Sequence, residues 1–124
     1  MIRISKKQVI AYHAYLIERF GGMPGIRDEG MLASALSAAF ATFDGDLLYP
    51  DPRQRAAKLV QGLICNHPFN DGNKRIGVGV MGIYLKAEGI LLQASNEELI
   101  EFGLHVATDS NLECIIDWIH AHTC

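Results

Sequence analysis

The run His67-Pro68-Phe69-Asn70-Asp71-Gly72-Asn73-Lys74-Arg75 gathers one titratable base, one carboxylate, two amides, a glycine and two adjacent cations. An imidazole exchanges protons readily near neutral pH, so His67 suits removal of a proton from an attacking hydroxyl. Lys74 and Arg75 suit phosphate oxygens. Asp71 would repel the ligand of a simple anion site. It makes sense if a divalent cation bridges it to phosphates, since magnesium is usually held by one or two carboxylates plus substrate oxygens. Gly72 permits a backbone conformation in which main-chain amides approach phosphate. Together these groups describe phosphoryl or nucleotidyl transfer, where positioning and charge stabilisation supply most of the catalysis. Each residue alone would serve as a cap, a turn residue or a solvated charge; their concurrence carries the reading. A Walker-type loop is excluded, because the chain has no Gly-x-x-x-x-Gly-Lys-Ser/Thr run.

The surrounding elements read as helices. Ser5 with Gln8 forms a capping box flanked by Ile4 and Val9. Val9, His13, Leu16, Ile17 and Phe20 follow at helical spacing, and Gly21-Gly22 ends that helix. A second helix starts at Asp28 and buries Leu32, Ala35, Leu36 and Ala39. Phe40 to Pro50 lacks periodicity and reads as an ordered loop or flap. Asp51-Pro52 starts a third helix with Ala56, Leu59, Val60, Leu63 and Ile64 inside; Pro68 closes it.

The Asn70–Asn73 turn then delivers the polar groups to the N-terminus of a fourth helix, where free N–H groups and the dipole favour an anion. That helix shows Ile76, Val80, Ile83 and Tyr84 on one face and stops near Gly89. Gly77, Gly79 and Gly82 within it imply close approach of other backbones, since each costs about 1 kcal/mol against alanine. Ser95–Glu98 caps a fifth helix carrying Leu99, Phe102 and Val106. Ser110–Glu113 opens a sixth that buries Cys114, Ile115, Trp118 and Ile119. The expectation is an all-α, single-domain bundle of about six helices, with a short flap between the second and third.

The 124-residue chain is 49% hydrophobic and 20% charged, as folded domains are. A net charge of -3 argues against direct DNA binding. No apolar run approaches the roughly 20 residues that span a bilayer. Three scattered cysteines and no signal-peptide pattern point to the cytoplasm. Among residues outside the run, His13 reads as a satisfied core histidine and His105 as a surface residue. His120 and His122 point to different faces and make no metal pair. Cys65 reads as a small buried residue and Trp118 as a core anchor.

The nine-residue run resembles the signature of the Fic/Doc family, in its Doc (death-on-curing) branch. Gly21-Gly22-Met23-Pro24-Gly25-Ile26-Arg27-Asp28 and the Phe40–Pro50 flap resemble that branch too, so the likeness covers essentially residues 1–124. It implies the toxin of a toxin–antitoxin pair. The wider family's motif is His-x-Phe-x-Asp/Glu-Gly-Asn-Gly-Arg-x-x-Arg and typically transfers AMP from ATP to a protein hydroxyl. Here Lys74 stands where glycine would be and Val78 where the second arginine would be.

In the Doc branch the implied result is an inverted nucleotide that presents its γ-phosphate, making the protein a Ser/Thr kinase. The implied target is a threonine of elongation factor Tu, whose modification halts translation. Carried over, His67 is the base and Asp71 the Mg2+ ligand. Asn73, Lys74 and Arg75 hold the phosphates of ATP, Gly72 lends backbone donors, and Asn70 supports. Arg19 and Arg27 lie in segments resembling the family, within reach of the pocket, with surface solvation the leading reading for each, and the flap reads as a dock for the target backbone. No Ser/Thr-x-x-x-Glu-Gly/Asn inhibitory run occurs, so restraint is expected from a separate, Phd-like antitoxin whose tail folds as a helix in an apolar groove. AMP transfer, or a non-catalytic phosphate- or antitoxin-binding module, are the competing expectations.

Overall fold

Local chemistry sets most of the helix starts. Ser5 and Gln8 bond reciprocally to each other's amides, as do Asp51 with Gln54 and Ser95 with Glu98. Asp28 and Asn111 each accept a first-turn amide. Such caps contribute about 1 kcal/mol apiece. The structure, a computed structural model, describes residues 2–124. In chain order its described elements are α1 (Lys6–Phe20), α2 (Glu29–Ala39), β1 (Thr42–Phe43), β2 (Asp46–Leu47), α3 (Pro52–Cys65), α4 (Asn73–Ala87), α5 (Asn96–Thr108) and α6 (Leu112–Ala121). The all-α expectation holds. None of these helices is long and apolar enough to cross a membrane.

Helix α3 is the hub, touching α2, α4, α5 and α6. Its stripe of Ala56, Leu59, Val60, Leu63 and Ile64 is wholly buried, and α2 buries the four residues expected of it. On α4, Ile76, Val80 and Tyr84 are buried, but Ile83 is 45% exposed. It lies one residue off the row that faces the hub, at the margin of the stripe. Cys114 is likewise exposed beside buried Ile115, and Cys65, the last residue of α3, is exposed rather than buried.

The glycines of α4 divide. A Cβ at Gly77 would come within 2.8 Å of the Ile64 side chain, and one at Gly79 within 2.6 Å of the Tyr12 hydroxyl. Gly82 meets only Leu92, at an ordinary 3.8 Å. Two of the three therefore mark close approach, chiefly to side chains of α3 and α1, with the Val60 carbonyl of α3 also 3.4 Å from the Gly77 position.

The flap holds a hairpin that its hydrophobicity did not announce. Thr42 pairs with Leu47 and Phe43 with Asp46 around Asp44-Gly45, whose φ values are 53° and 86°. A two-residue turn with both φ positive matches the twist of the strands it joins, and Asp-Gly is its usual sequence. At the flap's far end, Arg55 is 4% exposed, and its guanidinium donates to the carbonyls of Tyr49 (2.7 Å) and Pro50 (2.9 Å). It also donates to the Tyr84 hydroxyl (2.7 Å) and to Glu88 Oε2 (3.1 Å), and Tyr84 in turn donates to Glu88 at 2.6 Å. The Tyr84 hydroxyl foremost, and then Arg55, hold the Glu88 carboxyl below its ordinary 4.5 against the opposing effect of burial. One cation thus ties α3, the end of α4 and the flap base together.

Arg55→Leu should cost about 3 kcal/mol, because it strips the Glu88 carboxylate of its cation and leaves two carbonyls without their donor. At this chain size that lowers the thermal midpoint by roughly 10 °C. The Glu88 contribution is complete above pH 4.5 and is lost as pH falls through its lower folded value. The difference between variant and wild-type midpoints should therefore narrow in acid; a constant difference from pH 7 to pH 3 would contradict the assignment.

Candidate active site

Helix α3 ends at Cys65, and His67 adopts a positive φ of 48°. That region is costly for a residue with a Cβ, by about 1 kcal/mol or more, and persists only where neighbours hold it. The neighbours come from the segment between α1 and α2. Arg27 donates through Nη2 to the Asn66 carbonyl at 2.9 Å and through Nε to the His67 carbonyl at 2.6 Å. The amides of Arg27 and Asp28 both donate to the Pro68 carbonyl, at 2.8 and 3.0 Å. Ile26 and Phe69 form an antiparallel bridge, and the Asn70 amide donates to Gly25 at 3.1 Å. Arg27 is exposed, yet it clamps the motif, so the leading reading of simple solvation gives way to the alternative that it approaches the site.

Phe69 is 1% exposed and anchors the loop. The Asn73 side chain closes both of its backbone groups: Oδ1 accepts from the Phe69 amide and Nδ2 donates to the Phe69 carbonyl, each at 3.0 Å. Asn70 donates its Nδ2 to the Pro24 carbonyl at 3.1 Å. The Asn73 side chain is therefore spent on the loop's own backbone, and the Asn70 side chain on the segment between α1 and α2. This corrects the expectation that the Asn73 side chain reaches phosphate. Only the main chain at residue 73 is left for that task.

The His67 ring is exposed, and its Nδ1 lies 3.1 Å from the Cys65 carbonyl. A carbonyl only accepts, so Nδ1 carries the proton and Nε2 keeps its lone pair for a base's work. Gly72 precedes α4 with φ 77° and ψ 18° and offers no capping side chain. The Ile76 amide is the first to find a helical carbonyl, that of Gly72 at 2.9 Å. The amides of Asn73, Lys74 and Arg75 precede it and have no intrahelical partner, the usual condition of a first turn.

Lys74 and Arg75 are both exposed and diverge. Lys74 lies beside Gly103 of α5, where an added Cβ would sit 3.6 Å from the lysine Cβ. The Arg75 guanidinium lies 4.8 Å from the centre of the Phe20 ring, and Arg19 approaches the same ring at 5.8 Å. Val78 packs toward Gly103 as well, at 3.3 Å from that Cβ position, so residue 78 belongs to the α4–α5 contact.

Asp71 is exposed. Its Oδ2 accepts from the Met23 amide at 3.1 Å and its Oδ1 from the Gly72 amide at 2.8 Å. These two donors, Met23 first, hold its carboxyl below the ordinary 3.8, with the charge of Arg75 adding. Among the described residues no cluster of three or more His, Cys, Asp and Glu could cage a metal. A lone ionised carboxylate fits magnesium that arrives with phosphate oxygens of its own.

His13, expected in the core, is 3% exposed and lies beneath this loop, its Nε2 2.8 Å from the Asp71 carbonyl. His105 is exposed. His120 approaches Asp51 and His122 stacks on Trp118, so the two histidines diverge as expected. Trp118 is half-buried, stacked between His122 and Phe102.

A family model described as the Fic/DOC family matches residues 3–85, which takes in the whole polar run and the segment that straps it. The chain belongs to the Fic/Doc family. Within it the likeness is to Doc proteins. The chain is 39% identical over 75 residues to a protein named Toxin Doc from Mycolicibacterium smegmatis, a match covering 60% of this chain and 58% of that one. It is 29% identical over 108 residues to Protein kinase doc of Escherichia phage P1, covering 87% and 84%. The Fic/Doc motif thus sits on a strap, a buried ring and an uncapped helix start, all supplied by this chain.

The carboxyl of Asp71 should titrate below 3.8 in a carbon-detected NMR experiment on the folded protein. Because the folded value is depressed, its stabilising contribution is complete above 3.8 and is lost as pH falls through the lower value. A midpoint at or above 3.8 would show that the Met23 and Gly72 amides do not engage it.

Proposed function

We propose that this protein is a Doc-type toxin that transfers the γ-phosphate of ATP to a Thr or Ser hydroxyl of a target protein. The observation that carries the proposal is the pairing of an exposed imidazole, its Nε2 lone pair available, with an uncapped α4 start flanked by Lys74 and Arg75. In the proposed step the target hydroxyl gives its proton to His67 Nε2 as its oxygen bonds to the γ-phosphorus. The bond from that phosphorus to the bridging oxygen breaks, and ADP leaves.

Lys74, Arg75 and the amides of residues 73–75 hold the phosphate oxygens, and Gly72 lets the backbone come close to them. Asp71 would hold Mg2+, which supplies neutralisation of phosphate charge. The names of the two relatives, a toxin and a protein kinase, support the same reading. By the resemblance the target is elongation factor Tu and the outcome a block in translation, with the β1–β2 flap docking the target backbone.

A separate antitoxin chain of the Phd-like kind is the expected partner. Exposed Tyr15 and Phe20 on α1 and Met23 just beyond it offer apolar surface for it to cover.

The test adds ATP labelled at the γ or the α position, with Mg2+, to a translating extract. Label from the γ position should enter a protein band, and His67→Ala should reduce that transfer by at least about a hundredfold. Label from the α position alone would replace the kinase reading with AMP transfer. Toxicity that survives His67→Ala without transfer of either label would leave a binding module.

A further inference from the structure

We infer that His13 is a positioning residue for the Asp71 carboxylate, and through it for the divalent cation of the proposed transfer; the inference rests on that reading of the site. His13 lies on α1, 58 positions from the residue it touches. It is 3% exposed, and a polar ring so buried needs a partner. The Asp71 carbonyl, 2.8 Å from Nε2, is that partner. A carbonyl has nothing to donate, so the proton sits on Nε2 and the bond has one direction. The ring is held for this purpose. It lies flat on Phe69, with centroids 3.8 Å apart and planes 9° from parallel.

The peptide between residues 71 and 72 is a single planar unit whose C=O and N–H point in opposite directions. Drawing the carbonyl inward to His13 therefore turns the Gly72 amide outward. There it donates to Asp71 Oδ1 at 2.8 Å, while the Met23 amide holds Oδ2 at 3.1 Å. The His13 bond thus sets the orientation of one of the two donors that aim the carboxylate. Without it, the peptide is free to rotate about its flanking bonds, and the Gly72 amide leaves Oδ1. Residue 72, with its φ of 77°, is the glycine that makes such a rotation cheap.

Two variants separate the donor from the ring. His13→Phe keeps the stack on Phe69 and removes the donor; His13→Gln keeps a donor of similar reach and removes the ring. The probe is Mn2+ in the presence of ADP, with free Mn2+ followed by electron paramagnetic resonance and the melting temperature recorded in parallel. His13→Phe should melt close to wild type yet bind Mn2+ about tenfold more weakly or worse, the usual effect of losing a residue behind a metal ligand. His13→Gln should recover most of that affinity.

Equal affinity in wild type and His13→Phe would overturn the inference while leaving the site intact. A wild-type protein that takes up no Mn2+ with ADP would overturn the reading of the site and the inference with it. If His13→Phe does not fold, His13→Gln decides alone: near-wild-type affinity supports the donor, and a tenfold loss in the folded variant refutes it.

Discussion

Phe69 enters the core from the middle of a loop that is otherwise polar, with the His13 ring against its face and the Asn73 amide closing both of its backbone groups. Burying such a side chain is worth about 2 kcal/mol, and it is the only apolar purchase between Pro68 and Ile76. The rest of the site follows from that anchorage. With residue 69 inside, His67 before it and Asp71, Lys74 and Arg75 after it are left at the surface. The strap carrying Gly25, Ile26 and Arg27 then lies along the loop and satisfies its carbonyls. A polar loop of this kind would otherwise carry backbone groups that only water could serve.

The supports are divided among elements with different tasks. Helix α3 delivers the loop, α1 reaches beneath it, and the strap between α1 and α2 covers its outer edge. Helix α4 receives it with an open first turn. The flap lies outside this set and has its own attachment, through Arg55, to the core and to Glu88. A hairpin turn whose base is fixed to a buried cation can vary in its strands without disturbing the groups that would handle phosphate.

Much of this was legible in the sequence, and the legible part is the local part. Capping boxes at Ser5 and Ser95 involve neighbours three residues apart, the Asp51-Pro52 start needs only adjacent residues, and the stripes of α2 and α3 need only the helical period. The margins were not legible. Ile83 and Cys114 sit one step off a buried row, and whether such a residue is covered depends on where the next helix falls. The hairpin had its signal in Asp44-Gly45, which the absence of alternating apolar residues around it concealed. Arg27 read chiefly as solvent-facing and Asn73 as ligand-facing. Their actual partners are carbonyls and amides of the motif loop, in the case of Arg27 about forty positions away, and no spacing rule reports a backbone partner at that distance.

The open start of α4 has a consequence for the molecule as a whole. Three amide dipoles of one sign and two full positive charges are crowded into a single turn, with one nearby carboxylate to offset them. Such a concentration works against the folded state until a counter-charge arrives. A ligand rich in negative charge would then relieve self-repulsion in addition to making bonds. If that ligand is the polyphosphate of the proposed transfer, the turn would thereby make the fold more resistant to heat in its company, linking conformational stability to the supply of substrate.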